Sequence, residues 1–183
     1  MARSRAGGPR AAGARAGAPA PTPIPSLAST TLPRVWQGVG YRPLPDPAVA
    51  RPLFEFAAVP WPPPDGLAFA WGALTAGEQL VGALLAERAG EDAFLHGPVV
   101  LAEQDPLEIA AQLVAAALEH ASALGLRTLF VRPHGLDRIW VRFGFIPVPE
   151  STLPPTLAGR PGAGLYAWRG GPALRTLREA PAE

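Results

Sequence analysis

The sequence predicts a single-domain α/β fold with a mixed sheet, and three features support that prediction. Residues 67–74 and 79–87 form two β-like runs joined by a short polar link, which is typical of a hairpin. Residues 106–124 carry apolar side chains at helical spacing. Strand and helix patterns alternate between residues 94 and 148, which indicates a parallel section in the sheet.

The composition excludes several classes of protein. The chain of 183 residues has 15 acidic and 16 basic side chains, all of the latter arginine, and no cysteine. It can therefore form no disulfide, thiolate metal site, Schiff-base lysine or Walker-type phosphate loop. A net charge of +1 gives no basis for nucleic-acid binding. No apolar run approaches the roughly 18 residues of a membrane-spanning helix. We therefore expect a cytoplasmic protein that binds neither nucleic acid nor membrane.

Composition also divides the chain into a domain and two tails. Residues 1–33 include 23 Ala, Gly, Pro and Arg residues and no acid, so we expect a disordered tail. Residues 34–170 can form one domain, followed by a C-terminal tail at 171–183. Within the domain, residues 34–66 are rich in proline and have room only for a short strand and a short helix near 48–56.

The regular elements follow in order from residue 67. Residues 80–86 are apolar on both faces, which predicts an interior strand covered on each side. The next strand covers 94–102, and Gly97 and Pro98 indicate a bulge in it after His96. Further strands are expected at 126–132, 145–148 and 164–168, with a short helix over 136–143.

The helix that starts at Pro106 is the most strongly marked element. Asp105 can cap its N-terminus, and Glu108 stands three residues after that cap. This spacing predicts a capping box, in which the two side chains satisfy free backbone N–H groups. Gly125 predicts the end of the helix.

Four short strings stand out in the second half of this order of elements: EQLVG at 78–82, IAAQL at 109–113, ASALG at 121–125 and IWVRFGF at 139–145. Together they resemble the GNAT acetyltransferase superfamily. The last is similar to a family segment in which Tyr is followed by two or three variable residues and Gly-Phe. The likeness covers about residues 67–168.

The resemblance implies transfer of an acyl group from acetyl-CoA or another acyl-CoA to an amine. The cofactor would lie where strands 94–102 and 126–132 separate, with its pyrophosphate at the N-terminus of the helix from Pro106. The residues that the resemblance places against it are Val100, Leu101, Ala102, Leu107, Glu108, Ile109, Ala110 and Trp140.

The turn expected to hold the pyrophosphate departs from the family's pattern. The family has Arg or Gln, two residues, Gly, one residue and then Gly or Ala, whereas this chain has DPLEIA at 105–110. Asp105 and Glu108 bring two carboxylates, and Pro106 lacks an N–H. A carboxylate ~4 Å from a phosphate charge would cost about 1 to 4 kcal/mol, depending on the water between them. An alternative function is therefore a binding module on the same fold with poor coenzyme A affinity.

Two histidines are candidate catalytic groups. Trp140 replaces the family's general-acid Tyr, and an indole cannot donate a proton near neutral pH. His96, on the strand beside the expected cleft, is a candidate base, and His134 is a candidate proton donor. A structural role in the core or at the sheet edge for His96 and a solvated one for His134 are the alternatives. The histidines lack metal-ligand spacing, so no metal site is predicted.

Acidic residues are concentrated in one part of the chain. Residues 76–120 hold eight acids and a single arginine. If these acids gather at the cleft, the expected partner is a small cationic amine or a basic peptide segment. The oligomeric state is left open, a dimer included.

Overall fold

A mixed sheet forms the centre of the computed structural model, which describes residues 33–170. The predicted tails lie outside these residues, apart from Pro33. The strands are β1 (Arg34–Trp36), β2 (Val39–Pro43), β3 (Leu67–Leu74), β4 (Leu80–Ala89), β5 (Asp92–Val100), β6 (Thr128–Val131), β7 (Ile146–Pro147) and β8 (Tyr166–Arg169). The helices are α1 (Arg51–Phe56), α2 (Pro106–Ala123) and α3 (Asp137–Arg142). Within the described part, no helix is both long and apolar enough to cross a bilayer.

The order of the strands confirms the predicted α/β fold with a mixed sheet. It runs β1-β2-β3-β4-β5-β6-β8-β7 through the described residues. The expectation of a single short strand within residues 34–66 is wrong, because β1 and β2 both lie there and pair with each other. Only β5 and β6 pair in parallel, and every other neighbouring pair is antiparallel. The parallel section is therefore limited to one pair of strands. The short β7 follows β6 in the chain but does not pair with it, because β8 lies between them in the sheet.

Apolar clusters cover both faces of the sheet. On one face, α2 packs Leu113 and Val114 into a cluster that contains Leu84 of β4. On the other face, Phe54 of α1 belongs to a cluster that contains Leu85 of β4. Successive residues of β4 thus point into opposite clusters, as the period of a strand requires. The prediction of an interior strand at 80–86 is confirmed.

β5 carries the predicted bulge. Leu85 is opposite His96 and Ala83 is opposite Val99, so two residues of β5 face one residue of β4. Pro98 has no N–H to donate, and a bulge bends its strand. Pairing between β5 and β6 stops at Leu95 and Val131. The two strands therefore separate from residue 96 onward.

The predicted capping box at the start of α2 is wrong. Asp105 has a left-handed backbone (φ 48, ψ 45), and its side chain makes no capping hydrogen bond. An N-cap side chain reaches the helix from an extended backbone, so this conformation directs it elsewhere. The Asp105 carbonyl instead accepts from the N–H groups of Glu108 and Ile109, at 3.0 and 3.1 Å. The Glu108 carboxylate accepts a hydrogen bond from Gln112 at 2.9 Å.

Candidate functional site

A cleft of about 350 Å³ opens beside the part of β5 that β6 no longer pairs with. We call it the strand cleft. Its walls come from the end of β5, the first turns of α2, the segment before α3 and the segment after α1. The lining residues are Ala57, Val59, Pro98, Val99, Val100, Pro106, Leu107, Ala110, His134 and Leu136. Because all but one are apolar, the cleft suits a narrow ligand chain with few charges.

The N-terminus of α2 lies at the edge of the strand cleft and offers few hydrogen-bond donors. Pro106 has no N–H, and the N–H groups of Glu108 and Ile109 are already bonded to Asp105. The Leu107 N–H makes no hydrogen bond to another described residue. An anion at this point would thus meet one unbonded N–H and the dipole of an 18-residue helix.

Both candidate histidines line a second, smaller cavity, which we call the histidine pocket. It has a volume of about 10 Å³, and Phe94 and Arg132 also line it. That volume is close to the space of one water molecule. His134 borders both this pocket and the strand cleft. The fold therefore brings together two histidines that are 38 positions apart and places them beside the cleft.

His96 is hydrogen-bonded to Glu87, a buried carboxylate that forms an ion pair with Arg160. Its Nε2 lies 3.0 Å from Oε2 of Glu87, and Arg160 donates through Nε to the same oxygen at 2.8 Å and through Nη2 to Oε1. The Arg160 hydrogen bond lowers the pKa of Glu87, and burial lowers the pKa of His96. At neutral pH the carboxylate is ionised and the imidazole neutral. An ionised carboxylate can only accept, so the proton is on Nε2 and Nδ1 is the basic nitrogen.

Glu87, Arg160 and Arg132 belong to this site but were not predicted. Glu87 has one usable signal, since it ends a run that is apolar on both faces, where an unpaired charge is costly. No sequence signal points to Arg160, which lies 73 positions away. Arg132 makes a bidentate ion pair with Glu150, at 2.5 and 2.6 Å, and joins the end of β6 to the loop before β8.

The residues proposed to contact the cofactor are distributed over several places. Val100, Leu107 and Ala110 line the strand cleft. Leu101 and Ala102 follow β5 and are not among the lining residues.

Trp140 lies in the main core and not in a cavity. It is 1% exposed, and its ring centroid is 4.8 Å from that of Phe145 in an edge-to-face contact. It lines none of the three cavities described here, because α3 points it towards the sheet. Its position is that of a packing residue.

Asp105, Glu108 and Ile109 line a third cavity, between the β1–β2 turn and the start of α2. We call it the acidic pocket. The two carboxylates that the sequence places beside the pyrophosphate therefore do not line the strand cleft. Four other acids of the 76–120 segment form ion pairs with arginines; they are Glu78, Glu87, Glu91 and Glu119. The acids do not gather at the strand cleft.

Comparison with solved structures identifies the fold. A GNAT-family acetyltransferase from Staphylococcus aureus aligns with a TM-score of 0.57 at 13% identity, over 72% of this chain and 98% of that one. The ribosomal-protein-S18-alanine N-acetyltransferase from Escherichia coli aligns with a TM-score of 0.55 at 14% identity, over 73% and 97%. At this level of identity the similarity establishes the GNAT fold.

N-acetylglutamate synthase from Neisseria gonorrhoeae, solved with coenzyme A and N-acetyl-glutamate, also aligns with this chain. The TM-score is 0.56 at 18% identity, over 72% of this chain and 35% of the synthase. This chain therefore corresponds to about a third of that enzyme. Neither a protein-family model nor a curated protein matches the sequence.

Proposed function

We propose that this GNAT-fold protein binds an acyl-CoA in the strand cleft and transfers its acyl group to an amine. The observation that carries the proposal is the separation of β5 and β6 directly beside His96. It leaves the apolar strand cleft next to the small pocket that His96 lines, and His134 lines both cavities. The fold, which this chain shares with acetyltransferases, supports the same function.

The strand cleft fits one part of an acyl-CoA better than the other. Its apolar lining and volume of about 350 Å³ suit the thioester arm, which would lie against Val99, Val100 and Ala110. The phosphates would meet the N-terminus of α2, where Leu107 offers its N–H. When bound, the acyl-CoA supplies an acyl group activated as a thioester.

The residues around the histidine pocket would accept the proton of the amine and donate a proton to the leaving group. Nδ1 of His96 accepts the proton that the attacking amine loses, since Nε2 is committed to Glu87. Glu87 and Arg160 are positioning residues, because they fix the ring and its tautomer without reaching the cleft. His134 is exposed where the two cavities meet and is the candidate proton donor.

Calorimetric titration with acetyl-CoA, together with detection of released thiol over a panel of amines, tests the proposal. We expect binding with a dissociation constant between about 10 μM and 1 mM, because the phosphate end has few donors. Leu107→Glu, at the cleft, should weaken binding, whereas Leu101→Glu, an exposed leucine outside it, should not. Absence of binding at millimolar concentration would contradict the proposal.

The alternative function, a binding module with poor coenzyme A affinity, is supported by Pro106 and by the internal hydrogen bonds of the turn at Asp105. The same titration separates the two functions. Absence of acetyl-CoA binding up to millimolar concentration would favour the module. Transfer that is lost in His96→Gln would favour the enzyme.

A further inference from the structure

The acidic pocket has the electrostatics of a cation site. Its volume is about 120 Å³, with Trp36 and Gln37 on the side of the β1–β2 turn and Gln104, Asp105 and Glu108 on the side of α2. Two acidic residues line the cavity, and none of its lining residues is basic. A concave site with charge of one sign attracts ligands of the other sign.

Tyr41 provides a second, independent observation. Its side chain lines the acidic pocket and is 1% exposed, yet its hydroxyl has no hydrogen-bond partner among the described residues. A buried polar group without a partner is rare in folded proteins and calls for an explanation. A ligand with N–H groups in the pocket would supply the missing partner, since the hydroxyl oxygen can accept a hydrogen bond.

Glu108 and Trp36 offer groups that can bind the same kind of ligand. Oε1 of Glu108 accepts a hydrogen bond from Gln112 at 2.9 Å, which fixes the carboxylate and leaves Oε2 without a partner among residues 33–170. Trp36 is 48% exposed, so the pocket has an accessible aromatic wall. Arginine-like and ammonium groups bind well against an indole face.

The arrangement favours an organic cation over a metal ion. In the described part of the chain, no group of three or more His, Cys, Asp or Glu residues could hold a metal. Calcium and magnesium prefer about six or more oxygen ligands, which two carboxylates and an aromatic wall do not provide. The volume is about twelve times that of the histidine pocket and suits the charged end of an alkylguanidine or alkylamine.

We propose that the acidic pocket is a second ligand site, which binds the guanidinium or ammonium group of a small organic cation through Asp105, Glu108, Tyr41 and Trp36. The pocket shares no lining residue with the strand cleft. The proposal is therefore independent of acyl transfer, and its test measures binding alone.

The test is a calorimetric titration of the full chain with n-butylguanidinium and n-butylammonium chloride, with n-butylurea as a neutral compound of similar shape. We expect at least one cation to bind with a dissociation constant of about 1 mM or tighter, and the urea at least about tenfold more weakly. Equal affinities, or no cation binding up to about 20 mM, would overturn the proposal.

Matched variants locate the binding. Glu108→Gln should weaken cation binding at least about fivefold, while Glu78→Gln, which removes the same charge from an exposed acid paired with Arg42, should leave it unchanged. Where Glu108→Gln lowers the melting temperature, Trp36→Ala gives the same test at an exposed side chain. Equal losses in the glutamate variants, no loss in Trp36→Ala, or displacement of the cation by an equal concentration of magnesium or calcium would each refute the site.

Discussion

The Nε2 atom of His96 lies 3.0 Å from Oε2 of Glu87, and both side chains are buried. Glu87 is on β4 opposite Phe94, and His96 is on β5 opposite Leu85. The two residues are nine positions apart in the chain. Arg160 closes the group from the loop before β8. The contact therefore links the central hairpin to a distant loop and orients the imidazole of His96.

Glu87→Gln should lower the proposed acyl transfer at least about tenfold and change its pH dependence. Burial lowers the pKa of His96, the Glu87 carboxylate raises it, and the charge of Arg160 lowers it. Without the carboxylate the pKa of His96 falls further, so the acidic limb of the rate profile should move to lower pH. A pH series of kcat and KM measures this effect.

The control for Glu87→Gln is Glu91→Gln, since Glu91 forms an exposed ion pair with Arg127 and such pairs contribute little. His96→Gln should lower kcat by about a hundredfold or more. A Glu87→Gln variant with reduced kcat but the wild-type pH profile would show that Glu87 acts on stability alone.

The stability of the protein should fall as the pH falls below about 6.5. Burial lowers the pKa values of His96 and His120 from 6.5, so the unfolded chain binds more protons than the native state in this range. Protonation of Glu87 causes a further loss of stability below pH 4.5, because the hydrogen bond from Arg160 lowers the pKa of this carboxyl in the native state. A histidine that is protonated in the unfolded chain and neutral in the native state contributes up to about 1.4 kcal/mol per pH unit to the slope of the unfolding free energy.

Urea unfolding at several pH values between 5 and 8 measures this slope. The single variants His96→Gln and His120→Gln should each reduce it, and the exposed His134 provides the control through His134→Gln. A slope that is the same in all four proteins would contradict the assignment of neutral, buried histidines.

Local signals predicted the framework of the fold but not the site. Runs such as 67–74 have periods that determine strand or helix locally, so these elements and the bulge at Gly97 were predicted correctly. The partners of His96 come from β4 and a distant loop, and no local pattern encodes such contacts. Asp105 shows the opposite failure: its residue type suits an N-cap, but the bend that leads from β5 into α2 imposes a left-handed backbone.

Gly97→Ala should destabilise the protein more than Gly90→Ala does. Both glycines have positive φ, +92 and +66, so both variants carry a similar backbone penalty of about 1 kcal/mol. A Cβ at Gly97 would lie 2.9 Å from the Val99 nitrogen and 3.0 Å from the Ala83 oxygen, whereas one at Gly90 meets nothing within 4 Å.

We expect the free energy of unfolding of Gly97→Ala to be lower than that of Gly90→Ala by about 2 kcal/mol, as for other overpacked sites. Urea unfolding of both variants measures the difference. Equal losses would mean that the bulge beside the strand cleft relaxes easily and is not a rigid wall.

Asp105→Asn should tighten the binding of acetyl-CoA by about two- to fivefold at low salt. The variant removes one negative charge next to the N-terminus of α2, and asparagine tolerates the left-handed backbone that Asp105 adopts. A charge ~4 Å away contributes about 1 kcal/mol through water, which sets the upper limit of the gain. Because added salt screens such charges, the gain should disappear near 1 M salt.

Asp137→Asn, in the first turn of α3, is the matched control and should leave the affinity unchanged. An unchanged affinity in Asp105→Asn, with binding in the strand cleft intact, would show that the carboxylate is too far from the phosphates to matter and that Pro106 alone limits the site.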